Sequence, residues 1–189
     1  FGLHQEFLAS SRLDNLSSVH AGLVALENLA GTETDAAVFV AFDHEEVGSG
    51  TRSGAGGPFL QDVLHGLAAV MGFVGDGERA LLARSSCISA DAGHSVHPNY
   101  GQLHDPQVRP LINHGPLLKI NARQRYATDA VGGAIWKRAC RAAGVPTQDF
   151  VSNNSVPCGT TIGPITASRL GITTVDVGIA LLSMHSARE

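Results

Sequence analysis

Apolar residues at Leu13, Leu16, Leu23, Leu26 and Leu29 recur at steps of three or near multiples of the helical repeat. This spacing predicts an amphipathic helix that Gly31 stops. AAVFVAF, residues 36–42, is a short continuous apolar run rich in Val and Phe, and it reads as a buried strand. It runs into the acidic phrase DHEEVGSG. Gly54 to Gly57 make a break. Leu60, Val63, Leu64, Leu67 and Met71 then form a second helical face that ends near Gly72.

CISA, residues 87–90, reads as a short strand ending at an acid, Asp91. SVHPNYGQLHDPQ is loop-like, and LLKIN, 117–121, is a strand. Residues 130–143 read as a helix, with Gly144 and Pro146 beyond its end. DFVS, 149–152, is a weak strand. Residues 160–170 read as a helix closed by Gly171, and ITTVDVG, 172–178, is a strong strand candidate. Helices alternate with apolar strands, so the expected class is α/β with a parallel or mixed sheet covered on both faces. In such sheets ligands sit beyond the carboxyl ends of strands. Two polar clusters fall there, Asp43 to Glu46 and Asp91.

Composition narrows the picture further. A chain of 189 residues with 43% hydrophobic residues suffices for one domain with a core. A formal net charge of -4, with 16% charged residues, suggests neither a nucleic-acid-binding surface nor a disordered chain. No apolar run reaches the length of a bilayer span, and FGLHQEF does not read as a signal peptide. Cys87, Cys140 and Cys158 are odd in number and form no CxxC pair. A reducing cytoplasm is therefore the expected location, without a disulfide framework or zinc ribbon. The opening at Phe1 suggests a fragment or a processed product.

Four clusters carry candidate chemistry: RLDNL with Asp14, FDHEEVGS with Glu45 and Glu46, SADAGHSVHPNY with Asp91 and His94, and LSMHSARE with His185. Asp, Glu and His are zinc ligands alongside Cys. A pair of metals about 3.5–4 Å apart needs a bridging carboxylate, and a further, unligated carboxylate takes a proton from the shared water. Taken singly, each residue has a plainer reading. Asp14 alone would be a helix cap, the Glu45–Glu46 pair a solvated surface, Asp91 a turn residue and His185 a satisfied histidine. The spacings match no short zinc motif such as HExxH.

Taken together and in this order, the clusters resemble the aspartyl aminopeptidase family of zinc metallopeptidases. The resemblance continues through ADAGHSVHPNY, LLKINARQRYATD, PCGTTIGPI, GITTVDVG and LSMHSARE, and so covers nearly the whole chain. It implies a three-layer α/β/α zinc-peptidase-type domain with a mixed central sheet. Residues 1–189 would be an incomplete catalytic domain. It further implies that Asp14 bridges two zinc ions, with manganese or cobalt as alternatives. Glu46 and His185 would hold one ion and Asp91 the other. Glu45 would be the general base, and His94 would hold the substrate carbonyl. Lys119 and Tyr126 would line the substrate pocket, with Lys119 as cationic partner for an acidic first residue. Without the family, Lys119 reads as a lysine reaching from a sheet end to water. His44 and His97 are weaker candidates for orienting a ligand. Cys158 has nothing nearby to activate it.

The implied activity is release of N-terminal Asp or Glu from peptides by a cytoplasmic homo-oligomer, with no nucleic-acid or membrane partner. The family also has a metal-binding histidine near its N-terminus, a dimerisation insert and a final helix, none of which is visible here. The ion held by Asp91 is therefore expected to be weakly bound. Missing helices are expected to leave apolar surface open. Two other readings compete with this one: a non-catalytic metal-binding or assembly fragment, and a related two-metal aminopeptidase or deacylase of other specificity.

Overall fold

The computed structural model describes residues 1–31 and 35–189. Its centre is a four-stranded sheet of β1 (Ser86–Ala90), β3 (Leu117–Ile120), β4 (Gln148–Val151) and β5 (Thr173–Gly178). Spatial order is β1-β5-β3-β4. β1 runs parallel to β5 and β3 parallel to β4, while β3 and β5 are antiparallel. The sheet is therefore mixed, as expected. A two-residue parallel pair, β2 (Gly93–His94) and β6 (Ala180–Leu181), extends the chain beyond the ends of β1 and β5.

Successive residues of a strand face opposite sides of a sheet, and this orders the layers. Helix α4 (Ala130–Ala143) meets β5 at Val175, where a Cβ added to Gly132 would lie 3.1 Å from the Val175 Cβ. Helix α5 (Gly163–Leu170) meets the next residue, because a Cβ on Gly163 would strike the Asp176 carboxylate. The two helices therefore cover opposite faces of β5. Leu118, Val175 and Val177 form the buried cluster on the α4 side, with Trp136 packed against it. Burying each such side chain is worth about 1.5–3 kcal/mol. Asp129 caps α4 by accepting from the Gly132 N–H, and Gly144 ends it at φ 67°. The α5 helix begins three residues later than the sequence predicts. Pro164 sits in its first turn, and the Thr161 hydroxyl is committed to Asp176.

Helices α1 (Leu13–Glu27), α2 (Phe59–Val70) and α3 (Asp76–Arg84) complete the described elements longer than one turn. α1 matches the predicted helix, with Asp14 and Asn15 outside helical geometry at its start. It buries none of its residues, and Leu16, Leu23 and Leu26 are exposed. α3 was not expected: its apolar residues fall together at 80–83, which gives no helical period. Among the described residues, no helix is long and apolar enough to cross a membrane.

One predicted strand is absent. Residues 36–42 form no ladder, and the Asp43 N–H donates instead to the Ser53 carbonyl. A strand needs a neighbour to satisfy its backbone, and this segment pairs with no described strand. Phe39 rests on α1 at Gly22, where an added Cβ would strike its ring.

The opposite face of β5 is organised by a buried charge. Asp176 is 0% exposed. Its carboxylate accepts from the Ser89 hydroxyl at 2.6 Å, the Thr161 hydroxyl at 2.5 Å and the Ala127 N–H at 2.6 Å. Asp176→Asn removes the charge and turns an amide N–H2 towards donors. Unfolding in urea should show a loss of about 2–4 kcal/mol. An unchanged midpoint would mean that these bonds are not holding the three segments together.

Candidate metal centre

The site lies where β1 and β5 end and the β2–β6 pair begins. Asp91 directly follows β1, and its N–H donates to the Val177 carbonyl at 2.9 Å. At the end of β5 the backbones approach so closely that a Cβ on Gly178 would overlap the Asp91 carbonyl. Only glycine permits that approach. Asn15, at the start of α1, donates its amide to the Ala90 carbonyl at 2.7 Å and so brings Asp14 to the same edge. The Asp14–Asn15 peptide is cis.

Glu45 and Glu46 enter on a single 3-10 turn, 45–47, bracketed by His44 at φ 64° and Gly48 at φ 100°. Ser49 N–H to His44 carbonyl, at 2.8 Å, closes the turn. His185 also adopts a positive φ, 65°. Three non-regular backbone positions, at Arg12, His44 and His185, thus flank the acidic residues. Such positions cluster at functional sites in general.

One ligand atom each from Asp14, Glu46 and His185 lies within 4.8 Å of the others. The His185 Nε2 is 3.2 Å from an Asp14 oxygen and 3.2 Å from a Glu46 oxygen. The second Asp14 oxygen is buried without a partner among the described residues. An orphaned carboxylate oxygen inside such a group fits a cation, because a buried acceptor otherwise bears its full desolvation cost. Asp14 makes no helix-cap bond, so the cap reading does not apply. These three residues fit one ion, with the Asp–Glu–His chemistry zinc accepts.

Asp91 is not one of the trio but lies beside Asp14, close enough for the two carboxylates to interact. The Asp91 Oδ2 accepts from the Lys119 ammonium at 2.9 Å, and the same ammonium donates to the Ala92 carbonyl at 2.7 Å. Lys119 is 1% exposed, so it does not reach to water as a sheet-end lysine would. Register explains why. Leu118 pairs with Val177 on the α4 side, which turns Lys119 to the face of Asp176. There its ammonium lies 5.4 Å from the centre of the buried Tyr126 ring. The pKa of His94, on β2, is lowered by desolvation and then by the charges of Lys119 and His185. His44 bonds to Thr51, and His97 accepts from the Asn99 N–H and stacks near Tyr100. Neither forms a described bond to the acidic group. The Cys158 thiol lies 3.1 Å from the Ser152 hydroxyl and 3.6 Å from the Tyr126 hydroxyl.

The carboxylates crowd one another. Burial, Asp91 and Glu46 push Asp14 up to about 7, against a smaller lowering by His185. Burial, then Asp91 and Glu46, also raise Glu45. The structure adds one residue that the motifs did not single out. The buried Glu189 accepts from the Asp14 N–H at 2.8 Å and from the His185 N–H at 2.6 Å. One carboxylate thus fixes the backbones of two of the three grouped residues. Its position four residues after His185 was the available signal, but a surface glutamate gives the same pattern.

Two predictions follow from this geometry. Metal affinity should fall about 10–100-fold in Glu189→Gln, as for other residues that hold ligands in place; competition with a zinc-binding dye measures it. Unaltered affinity would mean the ligands are set by other contacts. Separately, the folded-state Asp14 value lies above its unfolded one, so the folded state takes up a proton as pH falls. Stability of the metal-free protein should therefore gain from Asp14 as pH drops from about 7 towards the ordinary Asp value of about 4. Thermal melts of wild type against Asp14→Asn isolate that gain, which should be missing in the variant.

Comparison with known proteins accords with these observations. The family model described as aminopeptidase I zinc metalloprotease (M18) matches residues 1–189. A probable M18 family aminopeptidase 2 of Streptomyces coelicolor is 52% identical over 191 residues, covering 100% of this chain and 44% of its own length. The chain thus spans less than half of that relative. Among solved structures, the Ape4 of an Ape4–Nbr1 complex aligns with TM-score 0.91 and 38% identity, over 100% of this chain and 37% of that one. The S. cerevisiae mApe1 dodecamer aligns with TM-score 0.84 and 33% identity, over 100% and 42%. A mixed α/β domain carrying a clustered Asp–Glu–His group, matched along its whole length, belongs to the M18 family of zinc metallopeptidases.

Proposed function

We propose that the protein containing this chain is a metal-dependent aminopeptidase that releases N-terminal acidic residues, with residues 1–189 forming part of its catalytic domain. The convergence of Asp14, Glu46 and His185 beside Glu45 and Asp91 is the observation that carries the reading. In it, Asp14, Glu46 and His185 would hold a zinc ion, and Asp91, beside Asp14, would serve with it as a ligand to a second. Asp14 and Asp91 alone are too few protein ligands for a zinc site, which normally has about three. The second ion is therefore the weaker one in this chain. Bound zinc supplies a water of lowered pKa and a Lewis acid for the peptide carbonyl.

The chain's own residues have separate tasks. Glu45 is free of the grouped ligands, and its raised affinity for protons suits a base that takes one from water and returns it to the departing amine. His94, an exposed imidazole whose pKa is lowered, donates a hydrogen bond towards the carbonyl oxygen as charge develops there. Lys119 and Tyr126 form the wall for the first side chain. An ammonium has three N–H donors. Two are used on Asp91 and Ala92, and the third is assigned to the substrate's acidic side chain. The three free cysteines suit a cytoplasmic enzyme. Assembly into a homo-oligomer is proposed from the dodecameric relative.

Peptides beginning with Asp, Glu or Leu, assayed with the complete polypeptide with and without chelator, test this directly. Chelator-sensitive release of Asp and Glu is expected. Equal or faster release of Leu would remove the acidic specificity while leaving a two-metal aminopeptidase. Loss of cleavage with zinc still bound would favour a non-catalytic metal-binding role. Within the same enzyme, Glu45→Gln should lower kcat at least about 100-fold with metal content nearly intact. Glu46→Gln should instead deplete zinc. Metal loss in the first variant and not the second would reverse the two assignments.

A further inference from the structure

Beyond the Tyr126 wall lies a cleft of about 390 Å³. Asn121, Arg123, Arg125, Asn153, Asn154 and Cys158 are among its lining residues, and none of the lining residues is acidic. Both arginines are exposed. Neither guanidinium forms an ion pair or side-chain hydrogen bond among the described residues, although other surface charges such as Arg79 and Lys137 do so.

The loop that carries them is fixed. Asn121, one residue past β3, accepts from the N–H groups of Arg123 at 2.8 Å and Arg125 at 3.3 Å. Gln124 between them adopts φ 58°. The Thr160 hydroxyl donates to the Arg125 carbonyl at 3.0 Å. The opposite wall is fastened too, since the Asn153 amide donates to the His104 carbonyl at 3.2 Å and its oxygen accepts from the Ser155 N–H at 2.9 Å. Two forked cations are thus presented on a braced loop, and a guanidinium matches a carboxylate in geometry and charge.

Cys158 and Tyr126 connect the cleft to the metal group. The Cys158 thiol touches the Tyr126 hydroxyl, the Tyr126 ring lies under the Lys119 ammonium, and that ammonium holds Asp91. Tyr126 and the Lys119 ammonium both stand between the cleft and Asp91. An extended peptide advances about 3.3–3.6 Å per residue, so a chain held at the metal group would carry its later residues towards the cleft.

We infer that Arg123 and Arg125 form an anion subsite for the substrate's carboxylate beyond the scissile bond, either an acidic side chain at the second or third position or the carboxyl terminus of a short peptide. The inference rests on the aminopeptidase reading. It adds a preference that the metal group and Lys119 do not supply, favouring short or acidic peptides over long neutral ones.

Matched tripeptides with a common first residue test it in the complete enzyme. One pair carries Glu or Gln at position two, another Glu or Gln at position three, and a third a free or amidated carboxyl terminus. A further pair varies Glu and Gln at the first position. Wild type should favour the carboxylate member about tenfold in kcat/KM in at least one downstream pair, and the preference should shrink as salt is raised. In Arg123→Gln/Arg125→Gln that ratio should fall to about one. The Arg123→Lys/Arg125→Lys variant should restore part of it, which separates charge from loop integrity. The downstream pairs locate the carboxylate, in a side chain or at the chain end. Ratios of one in every downstream wild-type pair would overturn the inference, whatever the first-position pair does. So would a downstream ratio that survives in the Gln variant. If no peptide is cleaved, the aminopeptidase reading fails instead. Calorimetry with the free and amidated peptides then decides the subsite, and equal binding overturns it.

Discussion

Asp176 is the point on which the site-bearing face of the sheet depends. A carboxylate taken wholly out of water is tolerated only when its lone pairs are met by donors, and here the donors come from three distant parts of the chain. Ser89 belongs to β1 and lies two residues before Asp91. Ala127 follows Tyr126, and Thr161 precedes α5. Satisfying one buried charge therefore sets the spacing among the Asp91 turn, the tyrosine wall and the start of α5. Glycine at 163 is part of the same constraint, because a side chain there would occupy the space of the carboxylate.

The second organising fact is an excess of acid. Burial and the nearby carboxylates of Asp91 and Glu46 raise both Asp14 and Glu45, against the single ammonium of Lys119 and the imidazole of His185. Like charges at close range would oppose folding unless protons or a cation join them. The raised value of Asp14 follows from its burial and from the neighbouring carboxylates. A divalent ion removes the need for that proton, so metal binding and proton release are linked at this group. Glu189 has a different task. It spends its charge on two backbone N–H groups, and so orders Asp14 and His185 without competing for the ion.

The regular core was legible because its periods are clear. Helix α4 spans the 130–143 predicted, and LLKI and TTVDVG emerge as β3 and β5. Residues 36–42 carried an equally apolar signal and formed no strand, because hydrophobicity reports burial while a ladder also needs a neighbour. Two-residue strands such as β2 and β6 have no period to detect, yet they carry His94 to the site. The metal-group residues were legible only as a constellation, since each alone looked like a cap, a turn or a surface charge. Lys119 was placed correctly on a strand, but its environment was not legible. Whether it faces water or Asp91 depends on the register with β5, which no local pattern encodes.

That register also divides the positive charge of this face into two kinds. Lys119 is dry, and its ammonium already answers Asp91 and the Ala92 carbonyl. Withdrawing it would leave a carboxylate partly buried and unpaired, which is costly. Any acidic group that meets Lys119 must therefore share it with Asp91, and a divalent ion on Asp91 would lessen the claim Asp91 makes. Arg123 and Arg125 are wet, and binding a carboxylate there disrupts no existing pair among the described residues. On the proposed function, an arriving acidic peptide would meet accessible charge first and buried charge later. The first contact governs capture and depends on salt. The second is insulated from salt and tied to whether the metal centre is filled.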